Sequence, residues 1–231
     1  MRRSKKKAIR QKRRTIVFLI AVLLVFIAVV KPEVYRTVYY SVRQIARSVA
    51  SSSPSQNTIV KTVKRTNANY GKEIDRYAVE FGISGKYLKS LIILESSGRK
   101  NVPPRFEKHV YRRLKKLKAG QIKQFENLRP GHLKNASDDA LKNLARSWGP
   151  FQVMGYKCIL LGINIKDLRG EKAVYWGVKW INMTYGDSLK KGRYKDAFHL
   201  HNAGKPYPKV GPPKTYNPNY VKNGLTYMQY F

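Results

Sequence analysis

Acidic residues are scarce in this chain: 13 Asp+Glu stand against 47 Lys+Arg, a formal net charge of +34. The excess is not confined to one tail. Residues 1–66 carry 16 bases and 1 acid, and residues 67–231 carry 31 bases and 12 acids, so the globular part is basic in its own right. Such a surface attracts polyanions, whether nucleic acid, anionic lipid headgroups or acidic cell-wall polymers, and charge alone does not choose among them. Cysteine is nearly absent. The single Cys158 excludes an internal disulfide framework and a multi-cysteine zinc site. It lies in the apolar stretch YKCILLGI and reads as a small buried hydrophobe. Histidine is also rare. His199 and His201 fall two residues apart with no acidic or cysteine partner at ligand spacing, so neither a metal nor a cofactor is assigned. Internal repeats and convincing runs of alternating apolar and polar residues are missing as well. What remains is enough for one packed domain with attachments: 231 residues, 42% hydrophobic and 12% aromatic.

One long apolar run is present. Residues 15–30, TIVFLIAVLLVFIAVV, carry no charge and follow MRRSKKKAIRQKRR, which holds nine bases and no acid. As a helix the run spans about 24 Å, slightly short of the roughly 30 Å hydrocarbon core. Flanking Arg14 and Lys31 can snorkel to extend it. A cleaved signal peptide would need small residues just after the run, where the sequence has Val29-Val30-Lys31-Pro32-Glu33. The expectation is a basic cytoplasmic tail over 1–14 and an uncleaved anchor over 15–33. Charge asymmetry then puts the remainder outside the cytoplasm. Residues 34–66 read as a stalk and linker, containing SSSPSQN at 51–57. The domain is expected over 67–231.

Its signals are mostly helical. Apolar periodicity and capping residues predict helices over 67–81, 87–95, 110–118, 138–146, 152–161, 171–185, 195–202 and 220–230. The stretch 205–219 holds five prolines and is expected as a loop. The domain is therefore expected to be mainly α.

Glu95 closes the apolar helix LKSLIILE, with Leu91 and Ile92 on its own face. An apolar setting and the negative end of a helix dipole both make a carboxyl harder to ionise. A carboxyl protonated near neutral pH is what protonation of a glycosidic oxygen requires. Taken alone, Glu95 also fits a surface residue that happens to end a helix.

Three ordered blocks change that balance. Glu95-Ser96-Ser97-Gly98 resembles the Glu-Ser signature of lytic transglycosylases and goose-type lysozymes. Ser147-Trp148-Gly149-Pro150-Phe151-Gln152-Val153-Met154 resembles their Gly-Leu-Met-Gln segment, and His201-Asn202-Ala203-Gly204 their Tyr-Asn-Ala-Gly. Arg105-Phe106-Glu107-Lys108-His109 resembles a Phe-Glu-x-His block of the endolysin-type N-acetylmuramidase domain, to which the wording from Ser147 to Gly155 is nearer. The resemblance covers about residues 70–230, with the anchor and stalk outside it, and implies a lysozyme-like helical domain of the lytic-transglycosylase (SLT) type, which the expected single N-terminal transmembrane helix would precede.

The resemblance implies roles too. Glu95 would be general acid and then base. Glu107 would be a second carboxylate, with a salt bridge to a neighbouring base as the alternative. Ser96, Gln152, Met154 and Asn202 would contact or shape the glycan cleft. Trp148 would stack on sugar, although core packing is open for Phe151 beside it. His201 stands where the family has tyrosine, and a charged imidazole there would depress the acid's pKa. The implied substrate is peptidoglycan, cut at the N-acetylmuramic acid–N-acetylglucosamine β-1,4 bond by hydrolysis or by 1,6-anhydro formation. The enzyme would sit on a bacterial inner membrane with its domain periplasmic. A larger envelope machine is a candidate partner, though no residue names it, and nucleic acid is not expected. A non-catalytic wall-binding or assembly protein on the same fold is the alternative.

Overall fold

The computed structural model describes residues 54–231. The tail expected over 1–14, the anchor expected over 15–33 and most of the stalk over 34–66 lie outside these residues. Among the described residues no helix is long and apolar enough to cross a membrane.

The domain is mainly helical. Its first helix, α1, runs Gln56–Phe81 and so begins well before the expected residue 67. The reason is legible in the side chains. Ile59, Thr62, Thr66, Tyr70, Ile74 and Ala78 are buried at intervals of three and four residues. Two of the early positions are threonines, whose polarity hides the stripe. Thr62 Oγ1 donates to the Thr58 carbonyl at 2.9 Å and Thr66 Oγ1 to the Thr62 carbonyl at 2.8 Å, so the hydroxyls are satisfied inside. Ser55 caps the start and Gly82, in the left-handed region, ends the helix.

Helix α2, Gly85–Ser96, is buried almost all round and packs between α1 and the last helix. Tyr87, Leu88, Leu91 and Ile92 have no exposure. Then come β1 (Arg105–Phe106), α3 (Lys108–Lys118), a 3₁₀ turn at Pro130–Leu133, and α4 (Asp138–Leu144). Next are β2 (Arg146–Trp148), β3 (Val153–Met154), α5 (Lys157–Leu161) and a second 3₁₀ turn at Ile165–Leu168. The chain finishes with α6 (Ala173–Lys190), α7 (Tyr194–Ala203) and α8 (Tyr220–Met228). The loop expected over 205–219 is non-helical.

The sheet is a finding the sequence did not announce. Its three antiparallel strands have the order β1-β2-β3, with Arg105 opposite Ser147 and Ser147 opposite Met154. Two or three residues per strand are too few to display alternation. The helix expected over 152–161 is corrected accordingly. Its first residues form the turn and strand of a hairpin, and only Lys157–Leu161 is helical. Gln152 adopts φ 48°, and a left-handed non-glycine residue cannot open a right-handed helix. Likewise Arg146, expected at a helix end, begins β2.

Three hydrophobic clusters result, the smallest of them Ile59, Ile93 and Tyr227. Of the other two, the larger joins α1, α2, α6, α7 and α8 through Ile74, Leu88, Leu91, Val178, Ile181 and Phe198. The smaller lies under α3 and α4 and contains Val110, Leu114, Leu117, Leu128, Leu133 and Leu141. Cys158 is buried in the larger cluster, and burial pushes its thiol up to about 12, which leaves it inert near neutral pH.

Candidate active site

Glu95 sits one residue from the end of α2, and α1 fixes that end. Three successive backbone carbonyls beyond it are held by α1 side chains. Arg65 Nε donates to Ser97 at 2.8 Å, Asn69 Nδ2 to Gly98 at 2.8 Å and Tyr70 OH to Arg99 at 2.8 Å. Gly98 is required where it stands. It has φ 69°, and a Cβ there would lie 2.2 Å from Thr66 Oγ1. The small residue of the Glu-Ser-Ser-Gly block therefore permits the close approach of α1 to α2.

The Glu95 side chain keeps 17% exposure. Burial raises its pKa from the ordinary 4.5 to about 7, against two weaker influences that lower it: a hydrogen bond from Tyr220 and the charge of Arg105. The Tyr220 hydroxyl donates to Oε1 of Glu95. Tyr220 opens α8, so the last helix delivers this contact.

His201 on α7 places Nε2 3.7 Å from Glu95 Oε1 and 3.2 Å from the Phe151 carbonyl oxygen. Its Nδ1 lies 2.7 Å from the Tyr185 hydroxyl. A carbonyl only accepts, so Nε2 carries the proton and Nδ1 accepts from Tyr185. Burial lowers the His201 pKa from 6.5 to about 4. Between about pH 4 and 7, histidine and glutamic acid are thus both neutral, and the pair is not a salt bridge. The anticipated depression of Glu95 by a charged imidazole does not arise. Tyr87 OH lies 3.5 Å from Tyr185 OH, which extends the polar chain into the core. The backbone of α6 departs from helical geometry at Tyr185, the residue that meets His201.

The remaining expected residues fall into three groups. Ser96 and Trp148, expected to contact glycan, are both buried. Ser96 is 2% exposed and its hydroxyl donates to the Ile92 carbonyl. Trp148 is 7% exposed and its indole N–H donates to the Asn143 carbonyl at 3.0 Å.

Gln152, Met154 and Asn202 are held by structural contacts of their own. Gln152 Oε1 accepts from Ser147 Oγ at 2.6 Å and Nε2 donates to the Gly149 carbonyl at 3.0 Å, which fixes the hairpin turn. Met154 is half-buried against the smaller cluster. Asn202 is exposed, and its Oδ1 accepts from the Tyr216 backbone N–H at 3.1 Å, so it holds the proline-rich loop.

Glu107 takes the alternative that the sequence left open. Its carboxylate pairs with Arg105 Nε at 2.9 Å and faces His109 Nδ1 at 3.6 Å. Arg105 in turn acts on Glu95, so the two carboxylates are linked through one guanidinium.

His199 uses both ring nitrogens on backbone: Nδ1 toward the Lys205 carbonyl at 2.6 Å and Nε2 from the Lys214 N–H at 2.9 Å. The tyrosines were missed by sequence reasoning. With 16 of them in the chain, no spacing singled out Tyr87, Tyr185 and Tyr220.

Chemically, the arrangement presents one protonated acid at a partly open position, held by a tyrosine and flanked by neutral hydrogen-bonding groups. Comparison with known protein families, with curated proteins and with solved structures finds no match.

Proposed function

We propose that this chain is a membrane-anchored enzyme that cleaves peptidoglycan glycan strands, with Glu95 as general acid and then general base in a lysozyme-like domain. One convergence carries the reading. The three sequence blocks that resemble lytic transglycosylases, at 95–98, 147–155 and 201–204, meet at a single point, because His201 lies against both Glu95 and Phe151. Segments far apart in sequence that converge on a carboxyl with a raised pKa are the arrangement expected of an acid catalyst.

In this mechanism protonated Glu95 gives its proton to the glycosidic oxygen as the bond to the muramic acid anomeric carbon breaks. The departing sugar leaves as an alcohol, and positive charge develops on the ring. Glu95, now ionised, takes a proton from the attacking hydroxyl. If that hydroxyl is the sugar's own 6-hydroxyl, a 1,6-anhydro end forms; if it is water, a reducing end forms. The anhydro route is favoured, because Glu107 is engaged by Arg105 and the charge acting on Glu95 is that of Arg105. A membrane anchor over 15–33 would hold the domain on the wall-facing side.

The test is digestion of purified peptidoglycan by wild type and Glu95→Gln, with products identified by mass spectrometry. Anhydro-muropeptides from wild type and none from the variant are expected. Equal products from both would overturn the reading, and an unchanged wall in both would favour a non-catalytic wall-binding protein.

A further inference from the structure

The outward face of α3 carries cations that nothing in the described residues neutralises. Val110, Leu114 and Leu117 are buried at 6%, 0% and 0%, which fixes the inward face. Lys108, Arg112 and Lys116 lie on the opposite side, all exposed, at every fourth residue. That spacing sets them about 6 Å apart along the helix axis. None of the three has a side-chain ion pair or hydrogen bond among the described residues.

The acids of this region are all taken by other partners. Glu107 is bound by Arg105, and Glu126 by Tyr156 and Lys157. Asp138 is held by Tyr111 and Lys142, and Asp139 by Lys142. The other bases of α3 are also engaged. Arg113 lies over the Phe125 ring at 5.0 Å, Lys115 faces Asp138 at 3.9 Å and Lys118 donates to the Ala136 carbonyl at 2.6 Å. Pairing thus consumes the four acids of this region and leaves Lys108, Arg112 and Lys116 as a regularly spaced unpaired row on α3.

We infer that Lys108, Arg112 and Lys116 form a docking row for a linear phosphodiester polymer, a polyol- or sugar-phosphate chain laid along α3. Successive charges on such a chain can meet successive cations on a rigid helix. A lipid surface is disfavoured, because an interfacial helix inserts its apolar face and that of α3 is already buried. Single-stranded nucleic acid is disfavoured, because its readers present aromatic platforms to the bases. The exposed Phe106 beside α3 is instead engaged with Tyr111 and the Arg146 guanidinium. The inference is independent of whether Glu95 cleaves glycans.

The test uses the full chain in uncharged detergent and poly(glycerol phosphate) as probe, titrated over a range of salt. K108Q/R112Q/K116Q is compared with K61Q/K64Q/K72Q, a triple that removes the same charge from exposed positions of α1. Melting temperatures of both triples verify folding. The α3 triple is expected to weaken binding at least about tenfold and to flatten the log–log salt slope by about 2, from three lost contacts at about 0.7 each. The α1 triple should change affinity less than about twofold. Equal losses in both triples would reduce the effect to net charge and overturn the inference, as would an unaffected α3 triple. Phosphatidylglycerol vesicles or oligo-deoxythymidine binding more tightly than the probe, with that binding lost in the α3 triple, would reassign the row and overturn the ligand proposed.

Discussion

The two larger hydrophobic clusters of the described residues relieve charge in different ways. Around α2, a glutamic acid and a histidine share a desolvated space with three tyrosines, and burial keeps the glutamic acid and the histidine neutral near pH 6. Around α3, the buried side chains are apolar apart from Tyr156, whose hydroxyl donates to Glu126; the charges stand on the surface, and each acid is paired with a base. Neutralisation by burial leaves a carboxyl with a proton to give. Neutralisation by pairing leaves carboxylates inert and the surplus cations free for a polyanion. The lesson is that the sign and amount of charge matter less than how each charge is relieved.

The largest expected effect separates a buried acid from a paired one. Glu95→Gln should lower the rate of glycan cleavage by roughly 10² to 10⁴-fold, the usual contribution of a general acid. Glu126→Gln, which removes a surface-paired acid, should leave the rate within about twofold. Release of soluble muropeptides from purified wall measures both.

Stability contrasts the clusters next. Phe198→Ala removes a fully buried ring from the larger cluster and should cost about 3–5 kcal/mol; Leu117→Ala in the smaller one should cost about 2–5 kcal/mol. Denaturant midpoints check these values. A single transition in both variants would join the clusters into one cooperative unit, and a split transition would separate them.

The pH dependence of stability should be largest in the buried cluster, where the shifts of Glu95 and His201 are large. Glu95 rises from 4.5 to about 7 on folding, so between these values the native state binds more protons than the unfolded state, and stability falls as pH rises. His201 drops from 6.5 to about 4, so over that window the native state binds fewer protons, and stability rises with pH. Each contribution is on the order of 3 kcal/mol at most. From about pH 4.5 to 6.5 they oppose one another, and the wild type should be nearly flat. Glu95→Gln should expose the rising arm, with a melting temperature that increases from pH 4 to 6.5. A flat profile in that variant would contradict the buried, neutral assignment of His201.

Smaller effects concern the neighbours of the acid. The hydrogen bond from Tyr220 lowers the Glu95 pKa, so Tyr220→Phe should move the alkaline limb of the pH–rate profile upward from about 7. A downward movement would show that the hydroxyl acts otherwise. Glu107→Gln, which frees Arg105 to act more strongly on Glu95, should lower the rate by less than about tenfold and move the same limb downward.

Much of the fold was readable along the chain because helix signals are local. Periodicity and caps predict a helix in each region that holds one, and Ser137 caps α4 through the Ala140 N–H as its composition suggests. Boundaries failed where side chains hid their environment. The start of α1 was missed because buried threonines satisfy their own hydroxyls on the helix. The hairpin at 146–154 was read as helix ends because its strands are too short to show a pattern and its turn depends on one left-handed glutamine.

By itself the sequence determined the basic surface, the mainly helical domain and Glu95 as the residue to examine, because composition, periodicity and motif order are properties of neighbours along the chain. It left Glu107 as a choice between two roles. Only the tertiary structure decided the protonation states. Whether His201 is charged depends on Tyr185 and Phe151, and whether Glu95 holds a proton depends on Tyr220, Arg105 and the packing of α2, all of them groups distant in sequence. Desolvation is set by what surrounds a group in three dimensions, and no local spacing encodes it.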